Sequence, residues 1–284
     1  MNDRIQVGVV PYLNAKPLVD GYESIEHLAD FHFMPPAQLA TGLAAGQIDV
    51  GLVSVVEYLR GDYDILPEVG IVSRGAVNSV LLTGSKPIEE ARTVNLDPAS
   101  LTSCALAVLW YHARLDRSPK FFRHPIDSPE AARCDAQLAI GDVGLSRTGK
   151  SAYQVDLGAV WEEWTGRPCV YAAWLVRKRV DLGPVADFLV EAAARSVDSL
   201  PAIAMSASHR LGIKGEVCLE YLTSSLQFVL DEQALEGLET LLSLTAKYRD
   251  QIDSCVPDFP PVRFSSPVRV NFYRHPALER SAPT

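Results

Sequence analysis

Four short polar segments carry the side chains best suited to chemistry, and each follows a run of apolar, largely β-branched residues. They are Pro11-Tyr12-Leu13-Asn14-Ala15-Lys16-Pro17 after the run 4–10, Ser54 after 48–53, Asp97-Pro98-Ala99-Ser100-Leu101-Thr102-Ser103 after 92–96, and Gly141-Asp142 after 136–140. In open α/β sheets, small ligands bind outside the C-terminal ends of the strands. The helices that start there point unsatisfied backbone N–H groups and a positive dipole end at the same place. Ser100, Thr102 and Ser103 put three hydroxyls at one such helix start, a density that favours an anion site over a bare cap. Local roles stay open for the others. Asn14 can bridge a turn before a proline-containing helix start, and Ser54 with Glu57 three residues on reads as a capping box. Asp142 can cap a segment starting at Gly144 or hold Arg147, and the Trp161–Trp164 pair reads as packing.

Other chemistries are excluded by what the chain lacks. There is no G-x-G-x-x-G after the first strand, no G-x-x-x-x-G-K-[ST], no H-E-x-x-H and no G-x-S-x-G, which removes the usual dinucleotide, P-loop, zincin and α/β-hydrolase signatures. The histidines (His27, His32, His112, His124, His209 and His275) show no ligand spacing, so no metal is expected. Cys104, Cys134, Cys169, Cys218 and Cys255 are scattered and odd in number, a pattern expected of reduced thiols in a cytoplasmic protein. The first residues enter an apolar run with no export-signal pattern, and no stretch is long and apolar enough for a membrane span. With 26 Lys and Arg against 35 Asp and Glu, the net charge is −9. The chain lacks the basic field that nucleic-acid binding needs.

The elements that must position these segments follow from periodicity. Strands are predicted at 4–10, 48–53, 69–73 and 77–83, and helices at 36–46, 54–60 and 101–115. After the turn-like Gly84-Ser85-Lys86-Pro87, a further set of strands is expected at 92–96, 119–123, 136–140, 153–157 and 169–177. The last third reads as helix, with one stretch running from Cys218 through Tyr221 to Val229 and Asp231 placed as the N-cap of the next. These patterns predict an α/β protein of two lobes, each a sheet flanked by helices. Residues 1–86 with 178–284 form a discontinuous first lobe, and 87–177 form an inserted second one. The chain should cross near 84–91 and return near 170–180, and two crossings make a hinge over a ligand cleft. The proline-rich residues 265–284 are expected to be an extended tail.

The segments also carry a resemblance. Pro11 to Leu18, Gly46 to Tyr58, Leu96 to Ser103, Ile140 to Asp142 and Trp161 to Pro168 resemble, in order and spacing, the successive signatures of the chorismate dehydratase family of the futalosine branch of menaquinone biosynthesis. The resemblance runs from residue 5 to about 264 and leaves the tail outside. It implies a fold like that of type 2 periplasmic solute-binding proteins, without their export signal. It implies loss of water from chorismate to give 3-[(1-carboxyvinyl)oxy]benzoate, with no metal or organic cofactor and chorismate as the partner; oligomeric state is left open. By motif position, the family's functional Asn and Ser fall on Asn14 and on Ser79 in Gly75-Ala76-Val77-Asn78-Ser79-Val80. Tyr12, Ser54, Ser100, Thr102, Ser103, Gly141 and Asp142 are then expected to bind substrate. The chain departs from the family at Leu101, where Arg is usual, and at Ala15, where Thr is commoner. A lost Arg removes a bidentate carboxylate clamp. A rival from another class is a binding or sensor protein of the same fold that holds a small carboxylate without turning it over, since fold alone does not decide function.

Overall fold

The structure, a computed structural model, describes residues 4–255 and 266–274. In chain order it runs β1 (Ile5–Val9), β2 (Ala29–Phe33), α1 (Pro36–Ala44), β3 (Val50–Ser54), β4 (Tyr63–Ser73), β5 (Val80–Gly84), β6 (Thr93–Asn95), α2 (Leu101–Leu109), β7 (Lys120–Phe122), α3 (Pro129–Ala132), β8 (Ala136–Ile140), α4 (Gly141–Arg147), β9 (Tyr153–Asp156), α5 (Leu157–Thr165) and β10 (Cys169–Arg177). Then come α6 (Pro184–Arg195), α7 (Leu200–Leu211), α8 (Gly215–Glu220), β11 (Gln227–Leu230), α9 (Glu232–Lys247) and α10 (Arg249–Cys255).

Two sheets result, one of order β11-β4-β10-β3-β1-β2 and one of order β7-β6-β8-β5-β9. In the first, β1 runs parallel to both β2 and β3, and β10 lies antiparallel between β3 and β4. The central strands read as apolar runs rather than alternations because helices cover both faces; β3 is buried at Val50, Gly51, Leu52 and Val53. In the second, β6 is parallel to β7 and β8, while β5 is antiparallel to β8 and β9. Asp231 caps α9 by accepting from Ala234 N at 2.9 Å, as its position predicts. Trp161 packs edge-on against Trp164 and donates its Nε1–H to Pro168 O at 3.1 Å.

Four expectations need correction. The strand at 169–177 belongs to the first sheet, and the strand expected at 77–83 begins at Val80 and pairs in the second. The crossings therefore fall at 74–79 and 166–168 rather than at 84–91 and 170–180. An apolar run buried on both faces announces a central strand but not which sheet it enters, and the Gly-Ser-Lys-Pro turn lies within the second sheet's own connections. The helical stretch expected from Cys218 to Val229 ends in a π-turn at Tyr221–Ser225, and Gln227–Leu230 pairs with β4 as its edge strand. The expected strands also omitted β2. Finally, residues 266–274 are not a loose tail: Val268 and Tyr273 are buried, and Phe272 forms a parallel bridge with Ile65. Tyr273 Oη accepts from Leu182 N at 2.9 Å. Residues 256–265 and 275–284, including Pro257, Pro260, Pro261, Pro276 and Pro283, lie outside the described residues.

Candidate active site

The cleft between the sheets collects strand ends from both. Its lining includes Tyr12 and Asn14 from the turn after β1, Ser54 at the end of β3, Ser79 before β5, Ser100 and Ser103 at the start of α2, and Gly141 after β8. Tyr171 of β10 and Tyr221 of the π-turn complete the polar part, amid Val10, Leu52, Ile71, Val77 and Leu226. The space between these side chains, open mouth included, is about 610 Å³. Two residues from the same segments stand elsewhere. Thr102 is fully buried behind Ser54, and Asp142 faces the lobe junction.

Asn14 sits in the 3-10 turn Leu13–Val19, and its buried Oδ1 has no hydrogen-bond partner. A desolvated acceptor left unmatched costs about 1–3 kcal/mol, so it marks a place where a ligand donor is wanted. Beside it, Tyr221 Oη donates to Ser79 Oγ at 2.9 Å, and the Asn14 side chain also reaches Tyr221. Burial pushes the Tyr221 phenol far above its ordinary value, with Asp142 adding to the shift. It therefore stays protonated and keeps donating to Ser79, whose own hydrogen is then directed away from Tyr221.

Ser79 is held by a network around the crossing. Asp156 accepts from Val77 N at 3.1 Å and Asn78 N at 2.7 Å, while capping α5 through Gly158 N and Ala159 N. Asn78 adopts a left-handed backbone (φ 60°) and donates its amide to Ser225 Oγ at 2.9 Å. From below, α4 packs so closely that a Cβ on Gly144 would lie 2.2 Å from Ser79 O.

The hydroxyls at the start of α2 divide between two tasks. Ser100 caps the helix by accepting from Ser103 N at 3.2 Å and touches Ser103 Oγ at 2.9 Å. Ser54 does not close the expected capping box. Its Oγ accepts from Thr102 N at 2.7 Å and meets Thr102 Oγ1 at 2.5 Å, so a residue of the first sheet caps a helix of the second. Glu57 instead pairs with Arg60 through both carboxylate oxygens, at 2.8 and 2.7 Å. The segment after β3 folds as a 3-10 turn, in which the Ser54 side chain makes no local cap bond.

Asp142 also acts across the lobes. It neither caps Gly144 nor holds Arg147. Its carboxylate accepts from Leu13 N at 2.9 Å and pairs with Arg210 of α7 at 3.0 Å. Arg147 turns to Gln137 and Asp127. Gly141, at φ 55°, brings the strand end under the Tyr12 ring, 3.5 Å from where a Cβ would stand. The Tyr12 phenol is pushed up to about 12 by burial, then by Asp97 and Asp142, so it too is a neutral donor at ordinary pH.

A model of the menaquinone-biosynthesis family matches residues 5–247. The chain belongs to that family. The chorismate dehydratase of Thermus thermophilus is 25% identical over 256 residues, spanning 82% of this chain and 92% of that protein. The chorismate dehydratase of Campylobacter jejuni is 30% identical over 163 residues, spanning 57% of this chain and 58% of that protein. The periplasmic aliphatic sulphonate binding protein SsuA of Escherichia coli shares the fold, with a TM-score of 0.62 at 13% identity over 93% of this chain and 97% of that one. The fold is thus that of periplasmic binding proteins, two-lobed with a central cleft. In this menaquinone-biosynthesis protein, no helix among the described residues is long and apolar enough to cross a membrane. No group of three or more His, Cys, Asp or Glu among them could hold a metal ion.

Several residues of the cleft were not singled out from the sequence. Tyr221 sat in an apolar helical pattern that reads as core, and core is half of what it does. Tyr171, bonded to Ser73 Oγ at 2.8 Å, was one apolar residue of a strand. Asp156 could have been found, because an Asp between a strand pattern and a helix pattern is a cap signal. Its second task, holding 77–78, is visible only in three dimensions.

Proposed function

We propose that this protein removes water from chorismate to give 3-[(1-carboxyvinyl)oxy]benzoate. Membership of the menaquinone-biosynthesis family and two relatives named chorismate dehydratase support the reading. The observation that carries it is the meeting of Asn14, with its unmatched buried oxygen, and Ser79, with its fixed donor Tyr221, in one cleft.

Chorismate is a dianion that becomes aromatic by losing the C3 proton and the C4 hydroxyl. The C3–H electron pair becomes the new ring π bond, the C4–O bond breaks, and proton and hydroxide leave together as water. Aromatisation makes the reaction downhill, so the protein has mainly to position the substrate and stabilise charge as it develops. Asn14 Oδ1 accepts from the C4 hydroxyl and orients it. Ser79, its oxygen already receiving Tyr221, turns its own hydrogen toward the departing oxygen. Among the described residues that line the cleft there is no His and no carboxylate, and a substrate carboxylate takes the C3 proton and passes it to the leaving hydroxide. The tyrosines and hydroxyls contribute neutral donors, which suits a dianion in a protein of net charge −9 better than added carboxylates would.

The direct test is to incubate the purified protein with chorismate and follow the ultraviolet spectrum. A benzoate chromophore formed in proportion to enzyme is expected; saturable binding without product would replace this reading with that of a carboxylate-binding protein. Tyr221→Phe keeps the ring packing and removes the donor to Ser79. Its kcat is expected to fall about tenfold to a hundredfold with KM changed less than threefold, the pattern of a bond that matters in the transition state. Unchanged kcat would remove Tyr221 from the account.

A further inference from the structure

The 3-10 turn Leu13–Val19 presents Asn14 to the cleft, and it has a second face. Side chains three residues apart lie one above the other in such a turn. Leu13, Lys16 and Val19 therefore stand together, and they line another cavity, which shares no described lining residue with the cleft. A further wall is α7, where Ser206 and Arg210, four residues apart, face the same space.

Two cations thus converge on one cavity in a chain of net charge −9. Lys16 is half-buried, with Nζ 4.7 Å from the centre of the Phe33 ring, and among the described residues it forms no hydrogen bond or ion pair. Burial lowers its pKa, the Arg210 charge lowers it further, and Asp142 opposes them. Arg210 spends Nη1 on Asp142 at 3.0 Å, while its Nη2 and Nε have no partner among the described residues. Asp20 and Glu23 line the cavity too, yet neither pairs with Lys16 or Arg210. Two like charges facing one partly desolvated space are held at a cost, which an anion placed between them removes. Asp142 meets this need only in part, from α4 and on one side of the guanidinium.

We propose that the cavity is a second binding site, which takes a small oxyanion, a phosphate or a carboxylate, between Lys16 Nζ and the unused edge of Arg210. An arginine fork and an ammonium are suited to such groups, and the exposed Ser206 hydroxyl, one turn before Arg210, adds a neutral donor. The site goes beyond the dehydration of chorismate and does not depend on it. It meets the cleft machinery at Asp142, which joins Leu13 N to Arg210, so the bound oxyanion and Asp142 compete for one guanidinium.

The test is calorimetric titration of the full chain with inorganic phosphate and, in parallel, with succinate. At least one is expected to saturate a single site with a Kd of about 1 mM, and the tighter of the two identifies the group. Each variant is first shown by circular dichroism to be folded. Lys16→Gln and Arg210→Gln should each weaken binding at least about fivefold, the loss of one charge-assisted contact. Ser206→Phe keeps both cations but fills the cavity from an exposed position, and should abolish binding. Asp142→Asn should tighten binding at least about threefold, because it removes both the competitor for Arg210 and a repelling charge. Lack of saturation by either anion would overturn the proposal. So would binding unchanged in Lys16→Gln or Ser206→Phe, or binding that Asp142→Asn leaves unchanged or weakens. None of these readouts uses chorismate, so a protein that forms no benzoate from chorismate loses the dehydratase reading and keeps this site.

Discussion

Asn14→Ala is expected to lower kcat by about a hundredfold to a thousandfold, the range found when one preorganised hydrogen-bonding group facing the reacting atoms is removed. The substitution deletes the buried Oδ1 that has no hydrogen-bond partner. Stability should change little, because removal of an unmatched buried acceptor offsets the loss of the Asn14 contact with Tyr221. That combination, activity lost and melting temperature kept, distinguishes a functional side chain from a structural one. The companion variant is Asp142→Asn. Asp142 belongs to one of the polar segments at the strand ends, yet it is occupied by Leu13 N and Arg210 at the lobe junction and is not among the described residues that line the cleft. An asparagine keeps an oxygen for Leu13 N and loses only the charge facing Arg210, whose side chain is half exposed. Its kcat should stay within about tenfold of wild type, since a partly exposed ion pair is worth little. Complete loss of turnover in Asp142→Asn together with near-normal turnover in Asn14→Ala would make Asp142 the base and reverse the roles assigned here.

The contrast between Asn14 and Asp142 shows how far the sequence could be read. Both were visible as polar residues at the C-terminal ends of apolar runs, because a strand-then-polar pattern is local and period-2 and period-3.6 signals are strong there. What each does depends on the partner lobe. Asp142 bonds Leu13, 129 residues away, and Ser54 bonds Thr102, 48 residues away. No spacing rule connects residues at such separations, so the Ser54–Glu57 spacing predicts a local capping box where Ser54 closes another helix. The same limit explains the strand at 169–177. Its apolar run fixed its existence and its bounds, but only pairing with Ser54 to Val50 on one side and Ser73 to Tyr63 on the other fixed its sheet. Tyr221 was hidden for a different reason. A tyrosine whose ring packs in the core and whose hydroxyl faces a cleft gives the same periodic signal as one that only packs.

Gly144→Ala is expected to damage both stability and turnover, and the geometry says why they go together. The new methyl would stand 2.2 Å from Ser79 O, 2.7 Å from Ser79 C and 3.0 Å from Ala139 O, all backbone atoms with no rotamer to yield. Either α4 lifts away from the crossing or the crossing moves, and Thr148 at the end of α4 is bonded to Asn78 O at 2.5 Å, so the two are tied. Overpacking of this kind costs about 2–3 kcal/mol, or about 3–5 °C of melting temperature in a chain of this size. Displacing Ser79 by even a fraction of an ångström also disturbs its bond to Tyr221, so kcat should fall about tenfold to a hundredfold. Gly237→Ala supplies the control. Its methyl would meet Pro168 O at 2.1 Å, an equally hard clash, but in α9 and away from the cleft. It should lose comparable stability while the folded fraction keeps wild-type kcat. Measured below both melting transitions, equal kcat in the two variants would mean that the packing of α4 does not position Ser79.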